Sequence, residues 1–334
     1  MKALLSFFEP FILMLLATVA LASVLPAQGQ WREVVAVVAN AAIVLLFFLH
    51  GAKLSRQAIL DGARHWPLHL AGLGLTFGLF PLIGLGYAQL PLFDGPLRTG
   101  ILFLAVLPST VQSSIAFTAM ARGNVAAAVC SASFSNLLGI FLTPLLVALL
   151  IRAEGHVGVS WDAARTIVLQ LLLPFIAGHV LRPLIGGIVA RHKPLVTVVD
   201  RGSILLVVYS AFGAAVLNGI WTMVNVGDLL ALGAMSLTQL ALVLLLAWNI
   251  GKWLGFKRED RIVLLFCGSK KSLASGVPMA GVLFPAATVG LVILPVMLFH
   301  QIQLIICAVL ARRLGQEPPE EGASAPDRRP VATT

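Results

Sequence analysis

Cys267-Gly268-Ser269-Lys270-Lys271-Ser272-Leu273-Ala274-Ser275-Gly276-Val277-Pro278 sets two adjacent lysines in an otherwise apolar window. Apolar residues flank it on both sides, Ile262 to Phe266 and Met279 to Phe284, so the whole window can cross a bilayer with two lysines near its middle. A charged side chain at that depth costs about 2.5–3.5 kcal/mol on insertion scales. The plain alternative is a cytoplasmic loop, or two side chains that snorkel from a helix end. Gly268, Gly276 and Pro278 argue against it. Breakers free backbone groups and polar neighbours then satisfy them, which is what an interrupted membrane helix requires.

The rest of the chain agrees with a membrane setting. Of 334 residues, 59% are hydrophobic and 11% charged, and the mean hydropathy is +0.96, which leaves too little polar surface for a soluble domain. The net charge of +9 does not point to nucleic acid, because the cations lie in short loops between apolar runs and form no basic stripe alternating with aromatics. Cys130, Cys267 and Cys307 stand far apart in apolar windows, so they read as small core residues with neither a disulfide framework nor a metal site. The N-terminal apolar run ends in Pro26-Ala27-Gln28-Gly29, a poor cleavage site, and is kept as the first span.

Windows of about twenty apolar residues number ten: Phe7–Leu25, Val34–His50, Leu68–Leu85, Leu97–Ala121, Val125–Ile151, Ile167–Leu184, Ser203–Leu217, Leu229–Ile250, Ile262–Phe284 and Val289–Leu310. Pro81, Pro174 and Pro295 lie inside them, tolerable where neighbouring helices satisfy the freed backbone. If the N-terminus is cytoplasmic, the inner loops receive Lys53, Arg56, Arg64, Arg122, Arg182, Arg191, Lys193, Arg201, Lys252, Lys257, Arg258, Arg261, Arg312 and Arg313. The outer loops keep Arg32, Arg98, Arg152 and Arg165. That bias predicts a multi-pass protein of the cell membrane with both termini cytoplasmic. Asp200 reads as a carboxylate at a cytoplasmic helix start. Residues 316–334, rich in Pro, Glu, Ala and Arg, are expected to form a disordered cytoplasmic tail.

Ten spans divide into two fives. Pro10-Phe11-Ile12 marks the first and Pro174-Phe175-Ile176 the sixth; the fourth and ninth are the interrupted ones, broken at Pro108 to Ser114 and Gly268 to Ser275. Five is odd, so the two copies are inverted in the membrane. The expectation is an all-α integral membrane protein with ten transmembrane helices in two inverted five-helix repeats, residues 1–152 and 160–315. Paired interrupted segments in inverted halves point to a transporter's binding site.

Pro108-Ser109-Thr110 with Ser113 and Ser114, then Ala121-Arg122-Gly123-Asn124-Val125-Ala126 and Leu142-Thr143-Pro144, resembles the bile acid:sodium symporter family (solute carrier family 10). The Gly268 to Gly276 break resembles its more distant SBF-like branch, and the likeness covers all but the tail. The resemblance implies a panel domain, a core domain and a crossing of the broken fourth and ninth helices, with substrate passing beside the crossing. It also implies a departure. Phe266 stands where sodium-coupled members have a carboxylate, Lys270 and Lys271 replace uncharged ligands, and Ala128 and Ala132 stand at fifth-helix positions with Ser131, Ser133 and Ser135 nearby. An ammonium beside a would-be sodium site repels the ion.

The lysines then either supply permanently the charge that sodium supplies elsewhere, or titrate, since desolvation disfavours a buried ammonium. Half-helix N-termini after Pro108 and Gly268 add partial positive charge. An organic, anionic solute is the substrate these features favour. The candidate substrate-binding residues are Ser109, Thr110, Gln112, Ser113, Ser114, Ser269, Lys270, Lys271, Ser272, Ser275 and His300. For the hydroxyls the plain alternative is interhelical packing, and for His300, beside Gln301 and Gln303, it is a packing histidine rather than a proton relay. The lipid bilayer is the other partner, and either a proton or sodium is left as the coupling ion. No cofactor is expected. Absence of a Walker motif, His-Glu-x-x-His or Gly-x-Ser-x-Gly speaks against an ATP-driven pump or an enzyme. A secondary transporter and a non-transporting membrane regulator, for example of calcium handling, both remain, the polar breaks favouring transport.

Overall fold

The computed structural model describes residues 10–53, 65–151, 165–166, 168–219 and 224–316. Arg56, Arg64, Arg152 and the tail beyond Gln316 lie outside the described residues. Every regular element among those described is helical: α1 (Pro10–Val24), α2 (Gln30–Lys53), α3 (Trp66–Ala88), α4 (Gly95–Val106), α5 (Gln112–Met120) and α6 (Val125–Leu150), then α7 (Val168–Arg191), α8 (Lys193–Leu217), α9 (Val226–Trp253), α10 (Arg258–Gly268), α11 (Leu273–Leu283) and α12 (Ala286–Gln316). Seven of these, α2, α3, α6 to α9 and α12, are long and apolar enough to cross a membrane. The paired short helices α4–α5 and α10–α11 account for the two windows that sequence reading marked as interrupted.

Two prolines explain local departures from the α-helix. In α3 the stretch Leu75–Leu79 winds as a π-helix just before Pro81, and in α7 Val168–Leu172 does the same before Pro174. A proline ring clashes with the carbonyl four residues back and brings no N–H, so a wider turn ahead of it relieves the clash. In α3 the Phe80 N–H reaches back five residues to the Leu75 carbonyl. In that register Pro81 would have served the Thr76 carbonyl, which is left without a backbone donor.

Helices α1, α2, α7 and α8 pack on one another, and α8 also packs against α11 and α12 of the second group. The α2–α7 seam is closed by glycines, because a Cβ at Gly51 would run into the Phe175 carbonyl and one at Gly178 into that of Phe48. Small residues that let backbones meet are the usual means of packing helices in lipid. Cys130, Cys267 and Cys307 are buried, as expected of small core residues. Asp200 is a correction. Lys193-Pro194 starts α8, proline suiting a first turn, so Asp200 lies about two turns inside the helix and pairs with Lys53 of α2.

Candidate functional site

The two breaks meet. The Ser272 N–H donates to the Pro108 carbonyl at 2.8 Å, joining one extended segment to the other. From the first break, Ser114 Oγ donates to the Phe266 carbonyl at 3.0 Å. From the second, Lys270 Nζ donates to Ser113 Oγ at 2.9 Å and lies 4.1 Å from the centre of the Phe117 ring.

Chain chemistry dictates what the end of α4 needs. A helix leaves its last carbonyls without intrahelical donors, and Pro108 removes one more N–H. Five consecutive carbonyls are supplied from outside the helix. Ala105 and Leu107 accept from Lys271 Nζ at 2.7 and 2.8 Å. Val106 accepts from Thr143 Oγ1 at 2.8 Å, Pro108 from the Ser272 N–H, and Ser109 from Asn136 Nδ2 at 2.8 Å. The third Lys271 donor goes to Thr76 at 2.7 Å, the carbonyl that Pro81 strands. All three ammonium protons thus meet carbonyls at the negative end of a half-helix and at a π-turn, and the Phe80 ring centre lies 4.2 Å from Nζ.

Gln303 of α12 fixes the backbone of the same lysine. Its Oε1 accepts from the Lys271 N–H at 2.9 Å, and its Nε2 donates to the Lys271 carbonyl at 2.8 Å. This double contact sets the amide orientation, so His300 Nδ1, 2.8 Å from Nε2, acts as an acceptor and bears no proton in this arrangement.

Beside the crossing lies a cavity of about 340 Å³ between the α1, α2, α7, α8 group and the breaks with α6 and α12. Phe11, Phe47 and Phe175 give it an apolar wall, and the first residues of α5 and α11 reach its other side. Of the candidates, Thr110, Gln112, Ser113, Ser272, Ser275 and His300 line it. Ser109, Ser114, Ser269, Lys270 and Lys271 do not; they are buried in the crossing itself. Ser272 also caps α11, accepting from the Ser275 N–H at 3.1 Å. At α5 no side chain caps the N-terminus, and its first residues, Gln112 and Ser113, line the cavity.

Sequence reasoning missed Asn136, His50 and the role of Asp200. Asn136 accepts from Ser275 Oγ at 2.9 Å while donating to Ser109, so it ties α6 to both breaks. A single asparagine in an apolar helix carries a signal, but nothing local says which break it serves. Lys53, His50, Asp200 and Arg201 also line the cavity; in sequence they read as loop cations and helix ends.

Two interrupted helices crossing inside an apolar bundle, with a cavity against the breaks, define a membrane protein of the transporter class. The chain belongs to the SBF-like CPA transporter family, whose model matches residues 9–316. A Pseudomonas aeruginosa protein described as uncharacterised is 57% identical over 325 residues, covering 96% of this chain and 98% of the relative. The Escherichia coli (strain K12) relative, carrying the name "Putative symporter YfeH", is 53% identical over 307 residues, 91% of this chain and 92% of its own length. Sodium/bile acid cotransporter 7 of Rattus norvegicus is 26% identical over 274 residues, 80% of each chain.

Proposed function

We propose that this protein is a secondary transporter of an organic anion across the cell membrane, built as two inverted repeats over residues 1–152 and 160–315 with both termini cytoplasmic. The order of elements supports the repeat: three unbroken helices, a broken one and another unbroken one occur twice, from α1 to α6 and from α7 to α12. Phe11 and Phe175, from the matching tripeptides, both line the cavity. The observation that carries the substrate class is the meeting of two half-helix N-termini at one cavity wall, where aligned N–H dipoles favour negative charge.

Thr110, Gln112, Ser113, Ser272, Ser275 and His300 are the groups in reach of a bound solute, with Lys270 held behind Ser113. Lys271, Ser109, Ser114 and Ser269 shape the wall. The names of the 26%-identical relatives couple sodium to bile acid. Here Phe266 replaces the expected carboxylate and the Lys271 ammonium already donates to carbonyls of both α4 and α3, so transport is sodium-independent. The experiment is a thermal-shift screen of purified protein against organic carboxylates and sulfonates at several sodium concentrations. Stabilisation without sodium dependence, sharply reduced in Lys270→Met protein that stays monodisperse, is the expected result. A steep sodium requirement, or unchanged binding in Lys270→Met, rejects the corresponding part.

A further inference from the structure

Among the described residues lining the cavity, Asp200 is the one acid. Its Oδ2 accepts from Lys53 Nζ, tying α8 to α2. Its Oδ1 is buried and has no hydrogen-bond partner among the described residues. The side chains of Lys53 and Asp200 keep 34% and 17% exposure, so water in the cavity reaches the pair. A buried acceptor left without a donor is costly, so the charged carboxylate leans on its contact with Lys53. Once Asp200 is neutral, the Lys53 ammonium is without its counter-charge in a wall that is otherwise largely apolar.

We infer that Asp200 is the proton-coupling site of this transporter, a reading that rests on the organic-anion transport proposed above. An incoming carboxylate or sulfonate takes the place of Asp200 at Lys53, and Asp200 takes up a proton from water on the oxygen that Lys53 gives up. One O–H bond forms, the proton comes from the aqueous phase, and the loaded cavity has the same net charge as the empty one. Each anion therefore travels with one proton, and Asp200 is the anion's internal substitute when the cavity is empty.

Of the titratable groups on the helices packed around α8, His50 on α2 and His300 on α12 share the cavity with Lys53 and Asp200; α1 and α11 carry no titratable side chain among the described residues. Arg201, next to Asp200, stacks over the Phe11 ring at 5.4 Å. His300 is the weaker proton acceptor on geometry, because its Nδ1 already receives the Gln303 amide.

The test is a proton count on the wild-type protein in weakly buffered detergent, with a pH dye, during titration with 2-naphthalenesulfonate and taurocholate. Both sulfonates stay ionised, so any proton taken up goes to the protein. About one proton per bound anion is expected, with Kd rising about tenfold per pH unit over the range of uptake. Asp200→Asn should bind with pH-independent affinity, take up no proton, and in proteoliposomes keep anion exchange while losing accumulation driven by an acid gradient. Wild-type binding without proton uptake overturns this inference and leaves the transport reading standing. So does uptake that survives Asp200→Asn but disappears in His50→Gln or His300→Gln. If neither sulfonate nor any other organic anion binds at any pH, both readings fall. Should Asp200→Asn fail to fold, the wild-type proton count decides.

Discussion

The two breaks face the same backbone problem and answer it with opposite chemistry. The α4–α5 break presents carbonyls, Ala105 to Ser109, each met by a donor from another element. The α10–α11 break presents donors, two ammonium groups and the N–H of Lys271 and Ser272. Between them they form one polar plug in an apolar bundle, and the difference shows why adjacent lysines are tolerated there. Lys271 spends all its protons on carbonyls that proline and helix termination had already stranded. Its neighbour Lys270 faces a hydroxyl at the start of α5, next to the cavity.

The sharpest way to break this comparison is Lys271→Met. It strands the carbonyls of Thr76, Ala105 and Leu107 together, at about 1–3 kcal/mol each, and should lower stability by at least about 3 kcal/mol. Thermal melting and size-exclusion behaviour in detergent measure it; unchanged melting would show that water or rearranged backbone serves those carbonyls. Adding Pro81→Ala to that variant restores an N–H near Thr76 and should recover part of the loss, a coupling that independent sites would not show.

Next in size is Gln303→Leu, which unpairs both the N–H and the carbonyl of Lys271 and should cost about 2 kcal/mol or more by the same reasoning. The first break depends on smaller donors. Thr143→Val removes the hydroxyl that donates to the Val106 carbonyl and is expected to cost about 1–2 kcal/mol, read from the shift in melting temperature. Ser114→Ala, which removes the hydroxyl that reaches the Phe266 carbonyl, should be the mildest at about 1 kcal/mol. If the order is reversed, so that the hydroxyl variants melt earlier than the Lys271 and Gln303 variants, the second break is not what holds the crossing.

Much of this architecture is legible in the residues. Apolar windows, the paired interruptions and the matching tripeptides need only local pattern, because a bilayer demands length and hydrophobicity and a break demands proline, glycine and polar neighbours. The positions of the breaks, at Pro108 and at Gly268 to Ser272, follow from those residues. Family membership agrees with the motifs around Arg122 and Lys270. Helix ends are less visible: α8 starts at Lys193 rather than near Ser203, since an amphipathic first turn at a membrane surface looks like loop in a hydropathy window. For that reason Asp200 reads in sequence as a helix start, although it lies inside α8.

What the sequence determined, then, is that two lysines stand in an interrupted membrane helix and must be satisfied. Their partners come from the way the helices pack. Thr76 is far from Lys271 in sequence, and its carbonyl becomes available because of a proline five residues on in another helix. Ala105 and Leu107 come from the opposite break, and Asp200 meets Lys53 across two helices. Hydrogen bonds to backbone carbonyls carry no side-chain signature, so no residue type at positions 76, 105 or 107 announces the partner of an ammonium that folding brings to it.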